Sequence, residues 1–326
     1  MQAVIIAGGK GTRLAPLTYR SPKPMLPLLE QPFLVWLVER CRAVGITDIL
    51  MNIQYQASQI QNYFGDGQAF GVRIRYIIEE TPLDTAGAMK LAEPYFSGAP
   101  LVVFNADILT DLDLKALIQA HVDTQADATL TLTRVADPTA FGLVELANIP
   151  DPEASWPAAA KPILAFREKP TAEEAARLGI DTVNAGTYIL NPTIFRDYAA
   201  HEPLSFERRV FPDLLSQKLR VTGFIWDGYW LDLGTPAKYL QGQLDILTGQ
   251  MPFGLHAEAD EVQPSVWISR SAQVHESASL EGPCYVGSGA ALGAKAQILA
   301  GTIVGAHSLI DRPLHPGHYA PGTLAV

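Results

Sequence analysis

The stretch AGGKGTRLAPLTYRSPKP (7–24) carries the densest chemistry in the chain. Gly8, Gly9 and Gly11 have no Cβ to hold a bound anion away, so their backbone N–H groups can approach phosphate oxygens. A loop that leaves a strand for a helix aims such amides at negative charge. Arg13 and Lys23 add two cations, each set beside prolines that restrict where it can go. The spacing is neither a Walker A loop nor GxGxxG, because Lys10 is followed by Gly11 and Thr12. A polyphosphate cradle is the expectation, although a tight structural turn would account equally well for the glycines alone.

Asp107 follows the apolar run LVVF, and Asp232 lies in GYWLDLGTP. Either alone fits a turn or cap. Two of them in a chain with a phosphate loop suggest oxygen ligands for Mg²⁺, a hard cation suited to carboxylate, water and phosphate oxygens. Glu168 and Lys169 in FREKP form a further candidate pair. Adjacent strand residues point to opposite faces, so both can serve one ligand only where the strand ends or twists; an exposed ion pair is the alternative. Asn184 in VNAG offers donor and acceptor together and could hydrogen-bond sugar hydroxyls. The seven histidines form no HExxH or other close zinc pattern, which favours surface or packing roles.

These groups need elements to position them. AVIIA and LVVFNAD are apolar runs closed by glycine or polar residues, as expected of buried parallel strands. Between them, residues 33–44 have helical spacing, ITDILMNI reads as a strand, 57–64 as a helix and RIRYII as a strand. A helix at 112–122 and the strands ATLTLTRV, FGLVEL, ILAFREKP and VNAGTYIL follow, with four prolines marking 147–163 as an exposed connection. The whole predicts an open, mixed but mainly parallel, Rossmann-like α/β sheet that binds ligands beyond the strands' C-terminal ends. Stepping by six from Val262 then gives Ile268, Val274, Leu280, Val286, Leu292, Ile298, Val304 and Ile310. That period predicts a triangular parallel coil, a short left-handed β-helix of hexapeptide repeats with about three turns. The expected domains are 1–245, a linker at 246–260, and the coil at 261–326. A coil this short needs a neighbour over its open end, so a homo-oligomer is expected, and truncation near residue 258 should disturb assembly before the active site.

A chain of 326 residues that is 48% hydrophobic can support two such cores. The net charge of -10 and the absence of a long Lys/Arg run argue against nucleic acid as a partner. No apolar stretch approaches the roughly 20 residues of a membrane span, and no signal-like leader opens the sequence. Cys41 and Cys284 are the only cysteines, which excludes a disulfide framework. Cytoplasmic residence, away from membranes, is the expectation.

GGKGTRLAPLTYRSPKP (8–24), EETPLDTAGA (79–88), FNAD (104–107), FREKP (166–170), VNAGTYIL (183–190), SFERRVFP (205–212) and GYWLDLGTP (228–236) occur in the order found in nucleotide-sugar pyrophosphorylases. The chain resembles that family over nearly all of its first domain, and the hexapeptide tail is seen in many members. The resemblance implies that Gly8, Gly9, Gly11 and Thr12 cradle a nucleotide whose phosphates meet Arg13 and Lys23. It implies that Glu79, Glu80 and Gly87 belong to the base-reading loop, that Asp107 and Asp232 bind Mg²⁺, that Lys169 meets a sugar phosphate, and that Gly142, Glu168 and Asn184 line the sugar pocket. Asp84 and Ala106 depart from the family pattern, Asp84 standing where many relatives have glycine.

The implied reaction is in-line attack of a sugar 1-phosphate on the α-phosphorus of a nucleoside triphosphate, with pyrophosphate leaving. Guanine presents two adjacent N–H groups to a carboxylate, whereas uracil and thymine present one N–H between carbonyls. Glu79 or Glu80 therefore favours GTP, and the guanylyl-type match favours mannose 1-phosphate; glucose 1-phosphate with dTTP or UTP is the alternative. Acyl transfer on the coil, with His275 or His307 as base, and a non-catalytic regulatory subunit of the same fold are the rival classes.

Overall fold

The computed structural model of the protein describes residues 1–137, 141–147, 159–168, 171, 173, 177–252 and 259–326. The chain divides into two compact units. One comprises Met1–Lys10, Leu37–Ile108 and Leu112–Trp230, the other Gly11–Trp36, Leu109–Asp111 and Leu231–Val326.

The first unit is built on strands β1 (Gln2–Ile6), β2 (Asp48–Ile53), β3 (Arg73–Ile78), β4 (Leu101–Asn105), β5 (Ala128–Arg134), β6 (Gly142–Leu146), β7 (Ala160–Glu168), β8 (Thr182–Leu190) and β9 (Val221–Ile225). Among the described residues they form one sheet in the order β3-β2-β1-β4-β8-β5-β9-β7-β6. Ala3, Val4, Ile5, Leu50, Met51, Val102 and Val103 are wholly buried, which is why these strands read as unbroken apolar runs rather than alternating ones. Among the described residues its α-helices include α1 (Phe33–Ala43), α2 (Ala57–Phe64), α3 (Asp84–Ala92), α4 (Leu114–Thr124) and α5 (Phe211–Ser216). Asp113 starts α4 by accepting from the N–H groups of Lys115 and Ala116 at 2.9 and 3.1 Å.

The sheet is mixed and mainly parallel, as expected: the strands of β3-β2-β1-β4 and the β9–β5 pair run in parallel, and only β7 and β8 run against the other seven. Two details differ from the sequence expectation. The strand β9 was not expected, since VTGFI has a glycine at its centre. Its cause is packing: a Cβ on Gly223 would lie 2.5 Å from Leu132 Cδ1 and 2.9 Å from Leu146 Cδ2, so the neighbouring leucines fill that space. Finally, β7 begins inside the proline-rich connection, where Ala160, Lys161 and Pro162 pair with Phe224, Gly223 and Thr222. Residues 148–158 lie outside the described residues.

In the second unit, α6 (Pro236–Leu247) follows Thr235, whose Oγ1 accepts from the Lys238 N–H at 3.3 Å. The C-terminal segment forms three parallel ladders. Val266 pairs with Cys284 and Cys284 with Thr302, Gln273 with Ala291 and then Leu309, and Ser279 with Gln297. Val286, Leu292, Ile298, Val304 and Ile310 converge on one core. Val262 does not join them. It is 53% exposed in the antiparallel strand Ala259–Gln263, so the inward register starts at Ile268. Toward the C-terminus the step shortens, Gln297 pairing with Pro313 and Thr302 with Gly317.

The coil also holds the N-terminal part of its own unit. The Glu30 carboxylate accepts from the N–H of Ser288 and, at 2.6 Å, from its Oγ. Gln243 accepts from Leu29 N at 3.0 Å, and its Nε2 lies 3.1 Å from His318 Nδ1. Burial pushes the His318 imidazole down to about 4. Cys41 and Cys284 are both buried free thiols. No helix among the described residues is long and apolar enough to cross a membrane.

Candidate active site

The glycine loop leaves β1 where Ala7 N donates to Asn52 O at 2.8 Å. Gly11 has φ 61, the left-handed region that side chains resist, and a Cβ there would stand 3.0 Å from both Lys23 Cβ and Thr18 Cγ2. Thr18 Oγ1 donates to Gly11 O at 3.0 Å, closing the loop onto the turn that precedes Lys23. Gly11, Thr12, Arg13 and Lys23 thus share one compact unit, with Arg13 and Thr12 exposed and Lys23 half-buried. The loop runs into the short 3-10 turn Thr12–Leu14 rather than an α-helix, the first of which starts at Phe33. A helix dipole therefore adds little here, and anion affinity falls to the loop amides and the cations. Among the described residues, the N–H groups of Gly8, Gly9 and Gly11 donate to no protein acceptor.

Glu79 and Glu80 part company at the end of β3. Glu80 is exposed, while Glu79 is 6% exposed and turned inward. A Cβ on Gly8 would lie 2.8 Å from Glu79 Oε1, so the glycine makes room for this carboxylate directly behind the loop. Glu79 Oε2 accepts from Leu83 N at 3.3 Å. Burial raises the Glu79 pKa, and the Leu83 hydrogen bond opposes that only in part. A desolvated carboxylate with a single neutral donor on it is well suited to accept from a ligand's N–H groups.

Asp232 and Arg13 meet in the second unit over Gly234. A Cβ on Gly234 would stand 2.8 and 3.0 Å from the two Asp232 oxygens and 2.9 Å from Arg13 Nη2. Lys238, from the first turn of α6, brings its Nζ to 3.9 Å from Asp232 Oδ2. Neither Gly234 nor Lys238 was among the expected site residues; the proximity of Lys238 follows from the Thr235 cap, which a Thr-Pro pair ahead of a helical stretch announces.

Asn184, in β8, donates from Nδ2 to the Tyr188 hydroxyl at 2.9 Å and to Glu207 Oε1 at 3.1 Å, while its Oδ1 accepts from Gly186 N at 3.1 Å. Tyr188 is fully buried, and its pKa is held well above the usual phenol value by burial first and the Glu207 charge second, with Asp107 adding to the effect. Asp107, half-buried just after β4, thus lies within electrostatic reach of this cluster. Asn105 and Glu207, both absent from the expected set, complete it. Gly142 pairs with Glu168 at the end of the β6–β7 ladder, and Leu143 pairs with Val183, the neighbour of Asn184. The backbones of Gly142, Glu168 and Asn184 therefore lie on neighbouring strands at one end of the sheet. Lys169 lies outside the described residues. Gly87 sits inside α3, where a Cβ would be 2.8 Å from Glu202 O, so the glycine allows close packing of α3 against residues 202–204.

A sequence profile described as Nucleotidyl transferase matches residues 2–249, and the chain belongs to that family. More particularly, it is 35% identical to the mannose-1-phosphate guanylyltransferase of Mycobacterium tuberculosis, over 93% of this chain and 77% of that one. It is 30% identical to the UTP–glucose-1-phosphate uridylyltransferase of Synechocystis, over 95% of this chain and 80% of the other. Among solved structures, HddC from Yersinia pseudotuberculosis complexed with GMP-PN aligns with a TM-score of 0.59 at 27% identity, covering 75% of this chain and 99% of that one.

Proposed function

We propose that this chain transfers a guanylyl group from GTP to mannose 1-phosphate, giving GDP-mannose and pyrophosphate. The sugar 1-phosphate chemistry is supported by the family and the relatives. The choice of GTP is supported chiefly by one observation, the buried Glu79 carboxylate behind the glycine loop. An oxygen of the mannose 1-phosphate attacks the α-phosphorus of GTP, a new P–O bond forms, and the bond from the α-phosphorus to the bridging oxygen breaks as pyrophosphate departs with its electron pair. The attacking oxygen is already ionised at neutral pH, so the protein supplies alignment and charge neutralisation rather than a nucleophile.

In this mechanism the amides of Gly8, Gly9 and Gly11, with Thr12, hold the triphosphate, and Arg13 and Lys23 offset charge growing on the leaving pyrophosphate. Lys169 meets the sugar phosphate, and Gly142, Glu168 and Asn184 border the sugar. Two of three polar contacts of Asn184 are donors spent on Tyr188 and Glu207, so its remaining role toward a hydroxyl is to accept. Asp107 and Asp232 would hold Mg²⁺. Their oxygen-only donor set fits a hard cation that takes the rest of its shell from water and phosphates. When bound, Mg²⁺ supplies charge neutralisation to the phosphates.

We further assign the catalytic domain to 1–245, a linker to 246–260 and a left-handed β-helix to 261–326, in a cytoplasmic homo-oligomer. The Synechocystis relative supports a second reading, UTP or dTTP with glucose 1-phosphate, in which Glu79 only braces the loop. Since one phosphoanhydride replaces another, the reaction runs both ways. GDP-mannose with pyrophosphate should yield GTP, and failure to form GTP while UDP-glucose yields UTP would favour the second reading.

A further inference from the structure

We infer that the π-helical turn Phe206–Val210 is a two-sided brace, in which Glu207 orients the amide of Asn184 and Arg208 holds Asp84 in the base loop, making both positioning residues. The inference rests on the proposed placement of sugar and base. A carboxylate cannot donate, so Glu207 Oε1, 3.1 Å from Asn184 Nδ2, forces the NH₂ end of that amide toward itself. Ser205 Oγ donates to the other Glu207 oxygen at 3.2 Å and holds the carboxylate still. With Tyr188 taking the second N–H, Asn184 is left with its carbonyl as the group able to meet a ligand.

On the other flank, Arg208 Nη2 donates to Asp84 Oδ2 at 2.6 Å, and Thr85 N donates to Asp84 Oδ1 at 2.8 Å. Asp84 has φ 62, a conformation strained for a residue with a Cβ, and the ion pair is what favours a carboxylate there. The backbone joins the same two segments. Leu204 O accepts from Ala86 N at 2.9 Å and Gly87 N at 3.0 Å, and Leu204 N donates to Leu83 O at 2.9 Å. Leu83 in turn donates to Glu79, so the base loop is tied to the brace through consecutive bonds. The brace cannot slide, because Phe206, its first residue, and Phe211, which follows it, are fully buried and stacked at 5.0 Å. Turns of the π type are rare and recur at functional sites.

The test separates the two flanks. Glu207→Gln lets the Asn184 amide rotate and is expected to raise KM for mannose 1-phosphate about tenfold with KM for GTP within twofold. Arg208→Gln is expected to raise KM for GTP about fivefold and leave KM for mannose 1-phosphate within twofold, with Arg208→Lys restoring most of it. Equal shifts of both constants in either variant, or a fall in kcat alone, would overturn the brace. If the wild type turns over no sugar 1-phosphate, the substrate reading fails, and hydrogen exchange then decides the brace. Faster exchange of the Ala86 and Gly87 amides in Arg208→Gln supports it, and unchanged exchange overturns it.

Discussion

Replacing Glu79 with Gln should move stability and specificity in opposite directions. The Glu79 carboxyl sits in a place that is 6% exposed, and burial has raised its pKa. A raised carboxyl pKa means that the folded state binds the proton more tightly than the unfolded one, so this residue's contribution to stability is lost as pH rises through that pKa. The amide has the same shape, can still accept from Leu83 N, and carries no charge to desolvate. E79Q should therefore melt at a higher temperature than wild type at pH 7, and the difference should vanish in acid, where Glu79 is protonated. Selectivity should fall. Losing the acceptor pair for guanine N1–H and N2–H costs about 1 to 3 kcal/mol, or about five- to hundredfold in preference for GTP over UTP. Thermal melts at pH 7 and pH 4, with kcat/KM for both nucleotides, read both effects. An E79Q protein that is less stable at pH 7 and keeps its GTP preference would refute the reasoning, showing Glu79 to be a loop brace.

Asp107→Asn and Asp232→Asn should each fold normally yet lose turnover at every Mg²⁺ concentration; near-normal rates at limiting Mg²⁺ would remove them as ligands. Gly234→Ala places a methyl within 3.0 Å of both Asp232 and Arg13, so kcat should fall at least about tenfold with little change in melting temperature, measured by pyrophosphate release. His318, lowered from 6.5 to about 4, should make the protein lose up to about 3 kcal/mol as pH falls from 6.5 to about 4, because the unfolded chain takes up a proton that the folded one refuses. Urea melts of His318→Gln should show a flatter pH profile; an unchanged profile would place the dependence elsewhere. Truncation near residue 258 removes Ser288 from Glu30 and His318 from Gln243, so light scattering should show aggregation or an altered oligomer before pyrophosphate release is lost, and an unchanged, fully soluble oligomer would contradict this.

The parts of this protein that local pattern can specify were legible in the sequence. AVII and LVVF read as strands because burial on both faces demands apolar side chains throughout, and the coil's period survived in Ile268 to Ile310 because each turn repeats one environment. Val262 carries the same residue type at the same spacing but is drawn into a hairpin with Val266–Ser269, a pairing that periodicity cannot reveal. The glycine loop was legible as a turn that needs glycine, since Gly11 has φ 61. The choice of Glu79 over Glu80 was not, since it depends on the space that Gly8 leaves from a different strand. Glu207 was hidden for a similar reason: SFERRVFP matches a family motif, but only the fold brings its Glu207 to Asn184 on β8. Lys238 marks the intermediate case, since its helix cap was readable but its approach to Asp232 was not.

The most direct test of the account is a matrix of GTP, ATP, UTP, dTTP and CTP against mannose 1-phosphate and glucose 1-phosphate, scored by kcat/KM for pyrophosphate release with Mg²⁺. GTP with mannose 1-phosphate should exceed every other pair, and should exceed UTP with the same sugar by about fivefold or more. Highest turnover for UTP or dTTP with glucose 1-phosphate would contradict the guanylyl assignment.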